Sequence, residues 1–194
     1  MINIAVFASG NGSNAVNLCK YFDNHPSIFI NKIYCNNPKA GIIEKSKALK
    51  KECIIFNKKD WTYGEVTKSL KENKTDYIVL AGFLWLVPID IIQGFPNRII
   101  NIHPALLPNY GGKGMYGMNV HEKVIADHQK ESGISIHLVN EEYDKGKILF
   151  QSKVKISEHD NALTLASKIH DLEYVYFPVT VEKYIIDKTK EAAN

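Results

Sequence analysis

Apolar positions along this chain come in short continuous runs and longer helical stripes that alternate with one another. Asn3 to Ala8 is an unbroken apolar run, the mark of a strand buried on both faces of a parallel sheet. Ile28 to Cys35, Cys53 to Phe56 and Asp76 to Phe83 also read as strands, and Arg98 to His103 alternates, with Ile100 and Ile102 facing one way. Between them, Val16, Leu18, Cys19, Tyr21 and Phe22, then Gly41 to Lys50 and Glu65 to Glu72, follow helical spacing. Such βα alternation predicts a doubly wound, mostly parallel sheet flanked by helices. Further on, Asn119 to His128 is helical in pattern. Ser132 to Asn140 alternates, with Ile134, Ile136 and Leu138 on the core face and Ser135 and His137 on the other. Ile148 to Gln151 then pairs with it through a hairpin-like turn. A long helix is expected from Asn161 to about Ile186, with Leu163, Leu165, Ile169, Leu172 and Val175 in its apolar stripe and a frayed polar tail, Asp187 to Asn194, beyond. The reading is a single α/β domain over residues 1–194, Rossmann-like, with an antiparallel strand pair near its C-terminal end.

Composition narrows the partners. The net charge of +3 is carried almost wholly by lysine, with Arg98 the only arginine and acidic residues interspersed, so no basic stripe marks a nucleic-acid surface. Cys19, Cys35 and Cys53 lack metal-ligand spacing and sit in apolar contexts, which reads as reduced core thiols. Neither a signal peptide nor an apolar run near the ~20 residues of a membrane span is legible. We expect a cytoplasmic protein, monomer or homodimer, working on small molecules without metal, membrane or nucleic acid.

Chemistry concentrates at Asn101-Ile102-His103-Pro104. Alternation turns Asn101 and His103 to one face, and Pro104 ends the strand, leaving His103 at its carboxyl end, where open α/β sheets receive ligands. An amide donor beside an imidazole suits a reaction that builds charge on a carbonyl oxygen and moves a proton. The Gly-rich turn Ser9 to Ala15, between the first strand and helix, is a phosphate cradle. The second strand ends in Asn36-Asn37-Pro38 without a carboxylate for a ribose diol, which favours a single phosphate over a dinucleotide. Gly111, Gly112, Gly114 and Gly117 mark a loop after the His103 segment, either a lid or an inert surface loop. Trp85 and its neighbours at a strand end could receive a flat ligand or belong to the core.

Taken in order, Ser9-Gly10-Asn11-Gly12-Ser13-Asn14, Leu80-Ala81-Gly82-Phe83, Asn101 to Pro108, Ser132 to His137, and Asp144 with Gly146 resemble the folate-dependent formyltransferases that act on glycinamide ribonucleotide in purine synthesis. The resemblance covers most of the chain. It implies a formyl donor, 10-formyltetrahydrofolate, and an acceptor amine on 5-phosphoribosylglycinamide. It implies a catalytic trio at Asn101, His103 and Asp144, and acceptor-phosphate contacts at Gly12, Ser13 and Asn14. Glu173 would be a further acceptor contact, or else simply an exposed helix charge. Folate contacts fall on Leu84, Trp85, Leu86 and Val87 and on Asn140, Glu141, Glu142 and Tyr143, with Ser135 and His137 in support. Trp85 stands where better-known members commonly carry a basic residue, and the stretch Asn109 to Val120 is longer and richer in glycine than theirs. Related folate formyl enzymes add a C-terminal RNA-binding domain or an N-terminal regulatory domain, neither of which is expected here. A non-catalytic nucleotide-binding module would have no use for His103 and Asp144 together.

Overall fold

The computed structural model describes residues 1–193. Its seven strands follow the order β3-β2-β1-β4-β5-β6-β7, in which β1 is Ile2–Ala8, β2 Ile28–Cys35, β3 Cys53–Ile55, β4 Tyr77–Leu80, β5 Ile99–His103, β6 Glu131–Leu138 and β7 Ile148–Lys155. Helices α1 to α7 are Ser13–Tyr21, Ile42–Ala48, Lys58–Thr62, Glu65–Glu72, Ile89–Gly94, Met118–Ala126 and Ala162–Ala193. The chain divides into two compact units, Met1–Asn101 and Ile102–Asn194, so the border falls inside β5.

In the first unit β1 pairs in parallel with β2 and β4, β2 with β3, and β4 with β5. Ile4 to Ala8 are fully buried, as a strand covered on both faces requires. Packed beside them is an aromatic cluster of Phe7, Tyr34, Phe56, Trp61 and Phe83. Burial pushes the Cys19 and Cys53 thiols up to about 11, so neither is a nucleophile at neutral pH, and all three cysteines are free. The apolar run at Asp76 to Phe83 yields a shorter strand than expected, because Gly82 takes a positive φ of 76° and turns the chain out of the sheet. Helix α5, unforeseen in the sequence, starts behind Pro88, whose fixed φ suits a helix entry.

In the second unit β6 and β7 are antiparallel from Glu131↔Lys155 to His137↔Ile148. Strand β6 is buried on both faces from Ser132 to Leu138, rather than on one. Helix α7 packs on α6, β6 and β7. Two expectations for it fail. Its buried stripe is Leu165, Ile169, Phe177, Val181 and Ile185, while Leu163 and Val175 are 72% and 58% exposed; the four-residue rhythm of the true stripe runs on past Pro178 as far as Ile185. The helix accordingly continues through Ala193 instead of fraying after Ile186, and Asn194 lies outside the described residues.

Candidate active site

Strand β5 ends at His103, where Pro104 predicts the stop. Asn101 and His103 sit two positions apart on β5, hence on one face, and His103 is buried. After it, the chain to Pro108, whose peptide bond from Leu107 is cis, is held by side chains of β6 and β7. Ser135 Oγ accepts from Leu107 N at 2.9 Å and donates to the Ala105 carbonyl at 2.7 Å. The Gln151 amide donates to Ser135 Oγ at 2.7 Å and to the Leu107 carbonyl at 3.0 Å. Ser135 therefore supports the site by pinning the segment behind His103.

Asp144 is the hub. Its Oδ2 accepts from Gly112 N at 2.9 Å and lies 3.6 Å from His103 Nδ1, while its Oδ1 lies 3.5 Å from His137 Nε2. It has a φ of 56°, a conformation that Asp tolerates better than most residues. Two glycines make room for it. A Cβ on Gly111 would stand 2.6 Å from Leu107 Cδ2 and 3.2 Å from Asp144 Cβ, and one on Gly146 only 1.7 Å from the Leu138 carbonyl oxygen. We expect Gly146→Ala to cost about 2–4 kcal/mol in denaturant unfolding, since a backbone atom cannot step aside as a side chain can. Activity should fall with it, because the turn that carries Asp144 must shift.

The hydrogen bonds settle where protons sit. His103 Nε2 donates to the Tyr110 carbonyl at 2.7 Å, so the neutral ring carries its proton there and turns a lone pair at Nδ1 toward Asp144. His137 Nδ1 in turn donates to the Leu138 carbonyl at 2.8 Å. Burial pushes His103 below the ordinary imidazole value, against the opposing pull of the Asp144 charge and the Tyr110 carbonyl, with His137 adding to the depression. The resting ring is thus neutral at pH 7. Burial works against ionising Asp144, yet the His137 side chain, the neighbouring His103 and the Gly112 N–H together hold its carboxyl below the usual range.

One residue here was missed in the sequence. His121 on α6 is 5% exposed, its Nδ1 is buried without a hydrogen-bond partner, and burial and then His103 depress its pKa. In the sequence it is one polar residue in a helical pattern, with no signal to single it out. Because folding lowers the pKa of both His103 and His121 below the ordinary 6.5, the unfolded chain binds more protons below that pH. Their contribution to stability is complete above about pH 6.5 and is lost as pH falls toward their folded values, and that of Asp144 is lost further down, below about 3.8. Calorimetry from pH 8 to pH 5 should show a falling Tm; a flat Tm would contradict this burial account.

A cavity of about 370 Å³ opens beside Asp144, lined among others by Leu107, Pro108, Gly111, Gly112 and Tyr143. Of the segment proposed to face folate, only Tyr143 and Asp144 line it. The Asn140 side chain accepts from Glu142 N at 3.1 Å, Glu142 pairs with Lys145 at 2.6 Å, and Glu141 is exposed. Glu173 lies half-buried on α7.

In the first unit, Gly12 holds a φ of 72° at the start of α1, and a Cβ there would fall 2.5 Å from Ile42 Cδ1. It offers no capping side chain, and the first turn, with Ser13 and a buried Asn14, contains no acid, so the positive helix end is uncompensated by a carboxylate of its own turn. The start of α2 clamps this loop: Ile42 N donates to the Gly10 carbonyl at 3.3 Å and Lys45 to the Asn11 carbonyl at 2.9 Å. Asn37, at the end of β2, donates to the Ser9 carbonyl at 3.2 Å, so the missing carboxylate is replaced by a loop anchor. Leu84 and Leu86 are exposed, Trp85 is half-buried and Val87 is buried in the core. Among the described residues no group of His, Cys, Asp or Glu is arranged to hold a metal ion, and no helix is long and apolar enough to cross a membrane.

A buried imidazole facing a carboxylate at a strand end of an open α/β sheet suits chemistry in which a proton is moved. The chain belongs to the formyl transferase family, whose sequence profile matches residues 2–181. It is similar to the phosphoribosylglycinamide formyltransferase of Bacillus subtilis, 30% identical over 191 residues that make up 95% of each chain. The chloroplastic phosphoribosylglycinamide formyltransferase of Arabidopsis thaliana is 37% identical over 186 residues, 91% of this chain. The chain spans 63% of the length of that relative and 59% of its Vigna unguiculata counterpart. The crystal structure of the Bacillus halodurans phosphoribosylglycinamide formyltransferase superimposes with a TM-score of 0.85 at 32% identity, over 93% of this chain and 94% of that one.

Proposed function

We propose that this protein transfers a formyl group from 10-formyltetrahydrofolate to the amine of 5-phosphoribosylglycinamide. The observation that carries the reading is Asp144, ionised in a buried turn and faced by the His103 and His137 rings. The likeness to named phosphoribosylglycinamide formyltransferases supplies the substrates.

The amine attacks the formyl carbon, and a C–N bond forms as the carbonyl oxygen takes negative charge. Asn101 supplies an amide donor toward that oxygen, an effect worth ~10²- to 10³-fold for one well-placed donor. Neutral His103 takes the proton shed by the attacking nitrogen at Nδ1, the atom it turns toward Asp144, and Asp144 stabilises the imidazolium so formed. The same proton then goes to the departing folate nitrogen as its C–N bond to the formyl carbon breaks. Gly12, Ser13 and Asn14 receive the acceptor phosphate at the start of α1, and Glu173 binds elsewhere on the acceptor. Leu84, Trp85, Leu86 and Tyr143 meet the folate.

The test follows the absorbance change on loss of the formyl group from the donor, with and without 5-phosphoribosylglycinamide. Acceptor-dependent release is expected. Release at the same rate without acceptor would make the protein a deformylating hydrolase, and no release in either case would sink the assignment.

A further inference from the structure

We propose that Lys45 of α2 is a positioning residue for the acceptor phosphate: it aims the Gly12 N–H at the anion and brings its loop an unneutralised positive charge. This deepens the reading of Gly12, Ser13 and Asn14 as phosphate contacts and rests on it. The half-buried Lys45 reaches the loop from a separate helix and donates twice to Asn11, to the backbone carbonyl at 2.9 Å and to the side-chain Oδ1. No ion pair to Lys45 exists among the described residues, and the acid beside it, Glu44, is held by Lys47 at 2.9 Å. An ammonium has three N–H donors, so bonding Asn11 twice leaves a third.

The shape of a peptide unit gives the first of these bonds a direction. The peptide between Asn11 and Gly12 is trans, so its carbonyl and its N–H point to opposite sides of the chain. With the Asn11 carbonyl drawn onto Lys45, the Gly12 N–H is turned away from α2. The Gly10 carbonyl, which accepts from Ile42 N at 3.3 Å, turns the Asn11 N–H the same way. Two consecutive N–H groups facing one side form a nest for an anion, here at the start of α1, whose first turn holds no acid. Two glycines let α2 come this close. A Cβ on Gly41 would stand 2.8 Å from Asn11 Oδ1, and the place of a Cβ on Gly12 is taken by the Ile42 side chain. Removing Lys45 therefore frees the Asn11 carbonyl to rotate and takes away charge, while the apolar contact of Ile42 with the loop stays.

Steady-state kinetics with two acceptors tests it: 5-phosphoribosylglycinamide and the riboside that lacks the phosphate. At low ionic strength Lys45→Met should lower kcat/KM for the phosphorylated acceptor about 3- to 10-fold, through KM and with kcat within about 2-fold of wild type. The loss should shrink as salt is added, and Lys45→Arg should recover most of it, because charge and donors are kept. For the riboside, kcat/KM should stay within about 2-fold of wild type. An equal loss with both acceptors would show that Lys45 only props the loop and would overturn the proposal, as would an unchanged KM for the phosphorylated one. Wild-type protein that uses the two acceptors equally well would refute the phosphate reading of Gly12 to Asn14, and wild-type protein that formylates neither would sink the transferase reading; the proposal falls with either. A wild-type preference for the phosphorylated acceptor that survives intact in Lys45→Met would defeat Lys45 alone.

Discussion

Replacing His103 by Ala should lower kcat by ~10²- to 10⁴-fold while leaving the KM of donor and acceptor within about 3-fold of wild type. The expectation follows from position. The ring is buried, fixed by the Tyr110 carbonyl at one nitrogen and open toward Asp144 at the other, so it has a part in moving a proton and little surface with which to bind substrate. The absorbance assay described for the wild-type protein, run with each substrate varied at saturating levels of the other, measures these constants. A KM increase large enough to account for the whole loss would place His103 in substrate binding and remove it from the chemistry. Folding is checked separately by the thermal transition, since the substitution also removes a buried hydrogen bond, a cost of about 1–3 kcal/mol if the Tyr110 carbonyl is left unsatisfied.

The second large effect is expected at Asp144→Asn, with kcat down ~10²- to 10³-fold and a displaced pH profile. Asparagine suits the test because it also tolerates positive φ and still offers an oxygen to Gly112 N. What it removes is charge. The Asp144 carboxylate raises the His103 pKa against the burial that lowers it, so without it the ring becomes harder to protonate. A base must be neutral to accept a proton, and activity therefore climbs as pH rises through the pKa of the His103 and Asp144 pair. In the Asn variant that ascending limb should move to lower pH, even as the plateau falls because the imidazolium has lost its counter-charge. Titrating kcat between pH 5 and 8 decides it. An unmoved limb would mean that another group sets it, and a limb displaced to higher pH would reverse the electrostatics argued for the site.

Much of this could be read along the chain because the relevant physics is local. A strand buried on both faces reads as a continuous apolar run, so β1 and β4 announced themselves, while alternation gave β5 and Pro104 marked where it ends. Gly12 could be placed at a helix start because a Gly-rich turn follows the first apolar run, and its φ of 72° is one that glycine adopts freely. Where local cues gave out, the reading slipped. Leu163 and Val175 have the hydrophobicity of core residues and sit outside it, since a helix has apolar residues enough for two stripes and only packing chooses between them. The polar end of α7 stays helical for a matching reason: Val181 and Ile185 are buried, and their docking carries the last turns along.

For the site the same boundary holds. Residue types and their order along the chain were enough to nominate Asn101 and His103, because an alternating strand cut off by proline is a local feature, whereas Asp144 was reached through the family resemblance. Whether His103 rests neutral or charged could not be decided there. That depends on how fully the ring is withdrawn from water, and on a carbonyl at Tyr110 and a carboxylate at Asp144 that reach it from distant points in the chain. The burial of His121 belongs to the same kind, since desolvation and charge separation are set by distances in space, and spacing along a polymer does not encode them until the chain has packed.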